Sequence, residues 1–159
     1  EAELVAVRVF RHQGVGRQHE GVAVAGRTQH ALDRQDAAVM ANLETLRQLS
    51  IDIEIDDFGT GHASIVGLLN LKPSTLKIDR QLIENVPKSQ EQRILVMSII
   101  QIARSLKIKV TAEGVETEEH ARILKRLGCD VLQGYGLARP LDVTATGDLL
   151  RAHKKAATT

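Results

Sequence analysis

Residues 51–61 read Ile51-Asp52-Ile53-Glu54-Ile55-Asp56-Asp57-Phe58-Gly59-Thr60-Gly61. Apolar and polar side chains alternate from Ile51 to Ile55, which is the period of a strand with one buried face. The alternation then breaks at two adjacent aspartates, and Gly59 and Gly61 punctuate a loop. Upstream, Val39, Met40, Leu43 and Leu46 recur at helical spacing, predicting a helix over 34–48 with Asp33 or Asp36 as its cap. Downstream, Ile65, Leu68 and Leu69 predict a short helix before Pro73, and Thr75–Ile78 the next strand. A helix over 89–106, a strand at Ile108–Thr111, a helix capped by Thr117 and closed by Gly128, a short strand at Asp130–Leu132 and a helix over 143–152 complete the series. Strands alternating with helices predict parallel βαβ units and an α/β fold.

The chain changes character near residue 30. Residues 1–30 contain no Asp, Lys or Pro, and only Leu4–Phe10 and Val22–Ala25 have the Val content of strands. The reading divides the chain into an irregular, loosely organised segment 1–30, a folded unit 31–152, and a frayed polar tail 153–159.

Length and composition set outer limits. A complete (β/α)8 barrel takes about 250 residues, and this chain has 159. Hydrophobic residues make up 43% but aromatics only 2%, so the core must be aliphatic. A net charge of +1 argues against a DNA or RNA duplex held by bulk charge. The single Cys129 rules out a disulfide framework and fits a reducing, cytoplasmic setting. No apolar run reaches the ~20 residues of a membrane span, and no signal peptide is expected.

The polar residues fall where the strands end. Asp56 and Asp57 follow the first strand of the unit, Lys77 and Asp79 flank the end of the second, Glu113 follows the third and Gln133 the fourth. Parallel strands deliver all of these ends to one rim, where α/β sheets and barrels place their sites. Singly, each has a plainer reading: turn and cap chemistry for Asp56 and Asp57, a solvated strand end for Lys77, a lead-in to Thr117 for Glu113, a turn for Gln133. Glu84, Glu91 and Arg93 read as solvated helix faces, His62 and His120 as surface or helix positions, and Cys129 as a packed thiol. Together, three carboxylates without a Cys/His cluster favour Mg²⁺ or Mn²⁺, and a lysine beside them suits a phosphate oxygen. The chemistry indicated is metal-assisted phosphoryl transfer.

The segments DDFGTG at 56–61, LKID at 76–79, AEGVET at 112–117 and GCDVLQGYGLARPL at 128–141 resemble the second half of an EAL domain. That resemblance implies a partial TIM-type barrel of about four C-terminal βα units, cyclic di-GMP as ligand, and its hydrolysis to pGpG with Mg²⁺ or Mn²⁺. It implies Asp56 and Asp57 as metal ligands, Glu113 as general base or metal-associated carboxylate, and Lys77 and Asp79 as substrate contacts. Gln133 and Glu116 would hold metal-bound water or brace the ligands. Phe58, Gly59, Thr60 and Gly61 would form the loop coupling the site to an EAL-type dimer, and His62 departs from the family's usual residue there. Self-association through open sheet edges is a further expectation.

The departures point the other way. The family's Glu-Ala-Leu triplet lies further upstream than the 55 residues that precede Asp56 here. A ligand asparagine has no counterpart, and register places Gly26 and Gln29 where a Glu-x-Thr-Glu strand has its glutamates, leaving only Thr28. The resemblance therefore implies impaired cleavage, or a non-catalytic unit that binds a nucleotide or a protein. The composition of residues 1–30 suggests a segment translated out of frame.

Overall fold

The computed structural model describes residues 7–11, 22–24, 37–60 and 65–156. Six strands form one sheet: β1 (Val7–Arg11), β2 (Val22–Val24), β3 (Ile51–Phe58), β4 (Thr75–Ile78), β5 (Lys109–Ala112) and β6 (Val131–Leu132), in the order β2-β1-β3-β4-β5-β6. The last four run parallel, as the βαβ pattern predicts. β1 is antiparallel to both β2 and β3, with Val7 opposite Ile55 and Arg11 opposite Ile51. Residues 7–11 and 22–24 of the 1–30 segment thus form two strands, one of them bonded to the strand that carries the aspartates. Leu4–Ala6 and Ala25 lie outside the described residues.

Helices α1 (Ala37–Gln48), α2 (Ile65–Leu71), α3 (Arg80–Ile83), α4 (Gln90–Ser105), α5 (Glu118–Leu127) and α6 (Val143–Ala156) connect or follow the strands. Caps explain their limits. Ser89 Oγ accepts the Gln92 N–H at the start of α4, and Thr117 Oγ1 accepts the His120 N–H at the start of α5. Glu118 and Glu119 lie in the first turn of α5 and Lys125 and Arg126 in its last, both matched to the helix dipole. Gly128 closes α5 at φ 95°, donating its N–H to Lys125 O.

Two expected boundaries move, and one short helix is added. Strand β3 continues through Asp56, Asp57 and Phe58 instead of stopping at Ile55. The four-residue α3 follows Asp79, too short for any periodicity to announce it. Helix α6 continues to Ala156, past the expected end at 152, and 157–159 lie outside the described residues. Helix-forming Ala and Lys carry the extra turn.

The core is aliphatic. Leu76, Ile78, Ile83, Val86, Val96, Ala103, Ala112, Val115 and Leu124 are wholly buried, with Ile53 and Ile55 nearly so. Each fully buried Ile or Leu contributes about 1.5–3 kcal/mol. On β4, Leu76 and Ile78 face one side of the pleat, which sends Lys77 to the other. Lys77 is therefore a buried ammonium on an interior strand.

Candidate functional site

The site begins with an irregularity in β3. Glu54 and Ile55 pair with Thr75 and Leu76, but the next partners are Phe58 and Ile78. Three steps along β3 match two along β4, so one extra residue is absorbed as a bulge. Asp57 takes the strain, at φ 52°. In a regular strand, adjacent side chains point to opposite faces; here the bulge lets neighbouring aspartates serve one site. Asp56 is buried and Asp57 exposed, yet both reach the same cluster.

Asp56, Asp57 and Glu113 bring carboxylate oxygens to within 4.8 Å of one another. Glu113 is fixed by its backbone, whose N–H donates to Ile78 O at 3.0 Å just beyond β5. The Lys77 ammonium donates to Asp56 Oδ1 at 2.7 Å and is also paired with Glu113 Oε1. Burial by itself would lower the Lys77 pKa, but the bonds and charges of Asp56 and Glu113 outweigh it and hold the pKa above its ordinary value. Lys77 is a cation, and it sits between strands β3 and β5 as an electrostatic bridge.

The remaining rim residues are placed differently. Gln133 lies beyond β6, exposed, with its N–H on Ala112 O at 2.9 Å and its carbonyl accepting from Val115 N at 3.0 Å. Its backbone laces the β6 end to the loop after Glu113. Asp79 Oδ1 accepts the Gln81 N–H at 2.8 Å and caps α3. Glu116 pairs with Arg80 at 2.6 Å, both about half exposed. Phe58 is buried, Gly59 adopts φ 110°, and Thr60 Oγ1 donates to Asp57 O at 2.9 Å. Gly61 and His62 lie outside the described residues.

Some side chains do more than their spacing suggested. Arg93, expected on a solvated face, donates to Val86 O at 2.6 Å and also to Pro87 O. His120 takes the helix position of the two expected for it, and there it is buried. Glycines 134 and 136 permit a backbone contact: a Cβ on Gly134 would lie 2.2 Å from Val115 O, and one on Gly136 2.3 Å from the Glu116 carbonyl carbon. Cys129 is a packed thiol, as expected, within 3.3 Å of Val110 O and 3.2 Å of Val131 O.

The donor set fits a hard divalent cation. All three candidate ligands offer carboxylate oxygen, and among the described residues no Cys or His joins them. Among these four groups, three carboxylates face one ammonium, a balance that a doubly charged ion would neutralise.

Residues 8–140 match the EAL domain family. The chain belongs to that family. It is 42% identical over 112 residues to cyclic di-GMP phosphodiesterase NbdA of Pseudomonas aeruginosa, covering 70% of this chain and 14% of that protein. Among solved structures, the phosphodiesterase MucR in complex with c-di-GMP aligns with a TM-score of 0.62 at 42% identity, over 70% of this chain and 45% of that one. Klebsiella pneumoniae BlrP1, solved with manganese and cyclic di-GMP, aligns at 0.57 and 33% identity, over 60% of this chain and 24% of that one. The EAL chain thus spans less than half the length of each of these relatives. Its fold is a partial TIM-like barrel, and the family match reaches back to β1. No helix among the described residues is long and apolar enough to cross a membrane.

Proposed function

We propose that the EAL rim takes up a divalent cation and a phosphate of cyclic di-GMP, and that hydrolysis to pGpG by this chain is impaired. The observation that carries the reading is the convergence of Asp56, Asp57 and Glu113 around Lys77. Asp56, Asp57 and Glu113 would hold Mg²⁺ or Mn²⁺. When bound, such an ion supplies Lewis-acid charge and a more acidic water.

The protein's own groups divide the remaining work. Lys77 Nζ, already cationic and partly desolvated, donates to a non-bridging phosphate oxygen. Glu113 either completes the oxygen shell or accepts the proton of the attacking water at a carboxylate oxygen. The exposed Gln133 amide holds water at the rim. Asp79 and Glu116, engaged with α3 and Arg80, brace the loops. Impairment is supported by Gly26 and Gln29 standing at the register positions of two family glutamates. Loss of even an outer partner of a metal site costs roughly 10–100-fold in affinity or activity.

Calorimetric titration with cyclic di-GMP in Ca²⁺, alongside a pGpG assay in Mn²⁺, tests both halves. Heat without appreciable pGpG is expected. Rapid turnover that disappears in Asp56→Ala would remove the impairment, and absence of heat would remove the binding. Self-association belongs to the same reading. β6 is an edge of the described sheet and its Val131 is about half exposed, as are Leu137 and Leu141 further along the chain. Light scattering at increasing concentration should show a dimer.

A further inference from the structure

Lys77 lies on β4 and Glu113 just beyond β5, and one buried side chain ties together the segments that follow them. His120, in the first turn of α5, is 6% exposed. Its Nε2 lies 2.9 Å from Glu84 O and its Nδ1 3.1 Å from Thr117 Oγ1. Glu84 caps the C-terminus of α3, seven residues beyond Lys77, and Thr117 stands four residues beyond Glu113.

The partners fix the ring's tautomer. A carbonyl oxygen can only accept, so Nε2 carries the proton. Thr117 Oγ1 already accepts the His120 backbone N–H at 3.2 Å, leaving its hydroxyl hydrogen for the Nδ1 lone pair. Both ring nitrogens are then matched, Nε2 donating and Nδ1 accepting. The bond also satisfies a carbonyl at the end of α3, one of those that a helix terminus leaves without an internal partner.

A second tie runs in parallel on the surface. Arg80 pairs with Glu116, and a Cβ on Gly114, at φ 72°, would lie 2.7 Å from Arg80 Cβ, so the two loops are in contact at that point. Exposed pairs of this kind contribute little, since water and salt screen them and two long side chains must be held in place. The His120 bonds, removed from water, are the less screened of the two ties and add to the β4–β5 ladder below them.

We propose that His120 is a positioning residue: by clamping the α3 terminus to the α5 cap, it holds Lys77 and Glu113 at their paired separation. This deepens the reading of the rim as a cation and phosphate site and rests on it. The expected consequence is that Lys77 loses its Glu113 contact when the clamp is removed, while Asp56 retains its place on β3.

The test compares the wild-type chain with His120→Leu, which keeps volume without a donor, His120→Gln, whose amide N–H can reach the same carbonyl, and Val96→Ala as a core-destabilised control. The readouts are the rate of Lys77 acylation by acetic anhydride, followed by peptide mass spectrometry, and Mn²⁺ affinity by calorimetry. Faster acylation in His120→Leu, with wild-type rates in His120→Gln and Val96→Ala, is expected. Mn²⁺ affinity should fall about tenfold in His120→Leu and recover in His120→Gln. Equal rates in wild type and His120→Leu, or equal acceleration in His120→Gln or Val96→Ala, would overturn the clamp. In the wild type, long-range ¹H–¹⁵N correlation spectra should show the neutral Nε2–H tautomer, and the Nδ1–H form would overturn it without any variant. If Mn²⁺ gives no heat with wild type, the metal reading fails by itself, and the acylation rates and tautomer still judge the clamp.

Discussion

The Lys77 ammonium lies 2.7 Å from Asp56 Oδ1, and both side chains are more than nine-tenths buried. Their bond crosses from β4 to β3 and joins the fold to the candidate site. A buried pair of this kind adds little over an apolar replacement of both members, but losing one partner strands the other charge. Lys77→Met should therefore destabilise the EAL chain by about 3–5 kcal/mol, a large share of the roughly 5–15 kcal/mol total. Urea denaturation of Lys77→Met, Asp56→Asn and the double variant checks this. The double variant should be more stable than the sum of single losses predicts, and strict additivity would show that the pair is not coupled.

Cys129 gives a pH dependence with a definite sign. Burial pushes its pKa up from 9.0 to about 11, with the Asp130 charge adding to it and backbone contacts partly offsetting it. The folded state resists forming the thiolate while the unfolded chain ionises normally, so the unfolded state loses its proton first. Stability contributed by the neutral thiol is complete below pH 9 and declines between pH 9 and 11, by about 2–3 kcal/mol in all. Chemical denaturation at pH 8, 9.5 and 11 should show this decline in wild type, and a smaller one in Cys129→Ala. Equal slopes would assign the loss to other groups. Thiol reagents at pH 8 should modify the folded chain far more slowly than the denatured one.

Much of this architecture was legible because several signals agreed at the same residues. Thr117, Glu118, Glu119 and Gly128 bound α5 by cap, charge and left-handed closure, and the structure places that helix between Thr117 and Gly128 as expected. The other helices before parallel strands end on left-handed residues too, but these are Ser50, Lys72 and Lys107, at φ 56°, 42° and 61°. A lysine in that conformation leaves no trace in sequence, so those ends were softer. The bulge at Asp56–Asp57 was hidden for the same reason: two aspartates after an alternating run read as a turn, and only pairing with β4 keeps them in the strand. Lys77 and Glu113 could be assigned to one rim from strand order, whereas their direct contact and the burial of His120 are products of packing. The antiparallel direction of β1 had no local signal, because Val-rich strands look alike in either sense.

Gly134 should be intolerant of any side chain. The clash of an added Cβ would be with Val115 backbone, at 2.2 Å from its oxygen and 2.3 Å from its nitrogen, so no rotamer change can relieve it. The same strip holds two bonds, Val115 N to Gln133 O at 3.0 Å and Gly136 N to Val115 O at 2.8 Å. Gly134→Ala is expected to cost about 1–3 kcal/mol and to expose both amides. Hydrogen exchange measured by mass spectrometry should show faster exchange over 113–117 and 133–137, with α1 unchanged. Uniform acceleration across the chain would instead indicate global destabilisation.

Asp57 offers a separation of fold from function. It occupies the strained position of the bulge, φ 52°, where asparagine is about as well tolerated as aspartate. It is exposed, so removing its charge costs little desolvation or packing. Asp57→Asn should leave the urea midpoint nearly unchanged. The proposed cation would nevertheless lose one of three carboxylates, and Mn²⁺ affinity should fall at least about tenfold. Asp57→Ala is the informative companion. It removes the same charge but places a residue without a stabilising side-chain polar group at positive φ, so it should lose both affinity and about 1 kcal/mol of stability. If Asp57→Asn binds Mn²⁺ as the wild type does, Asp57 serves the bulge and not the ion, and Asp56 and Glu113 must hold the cation without it.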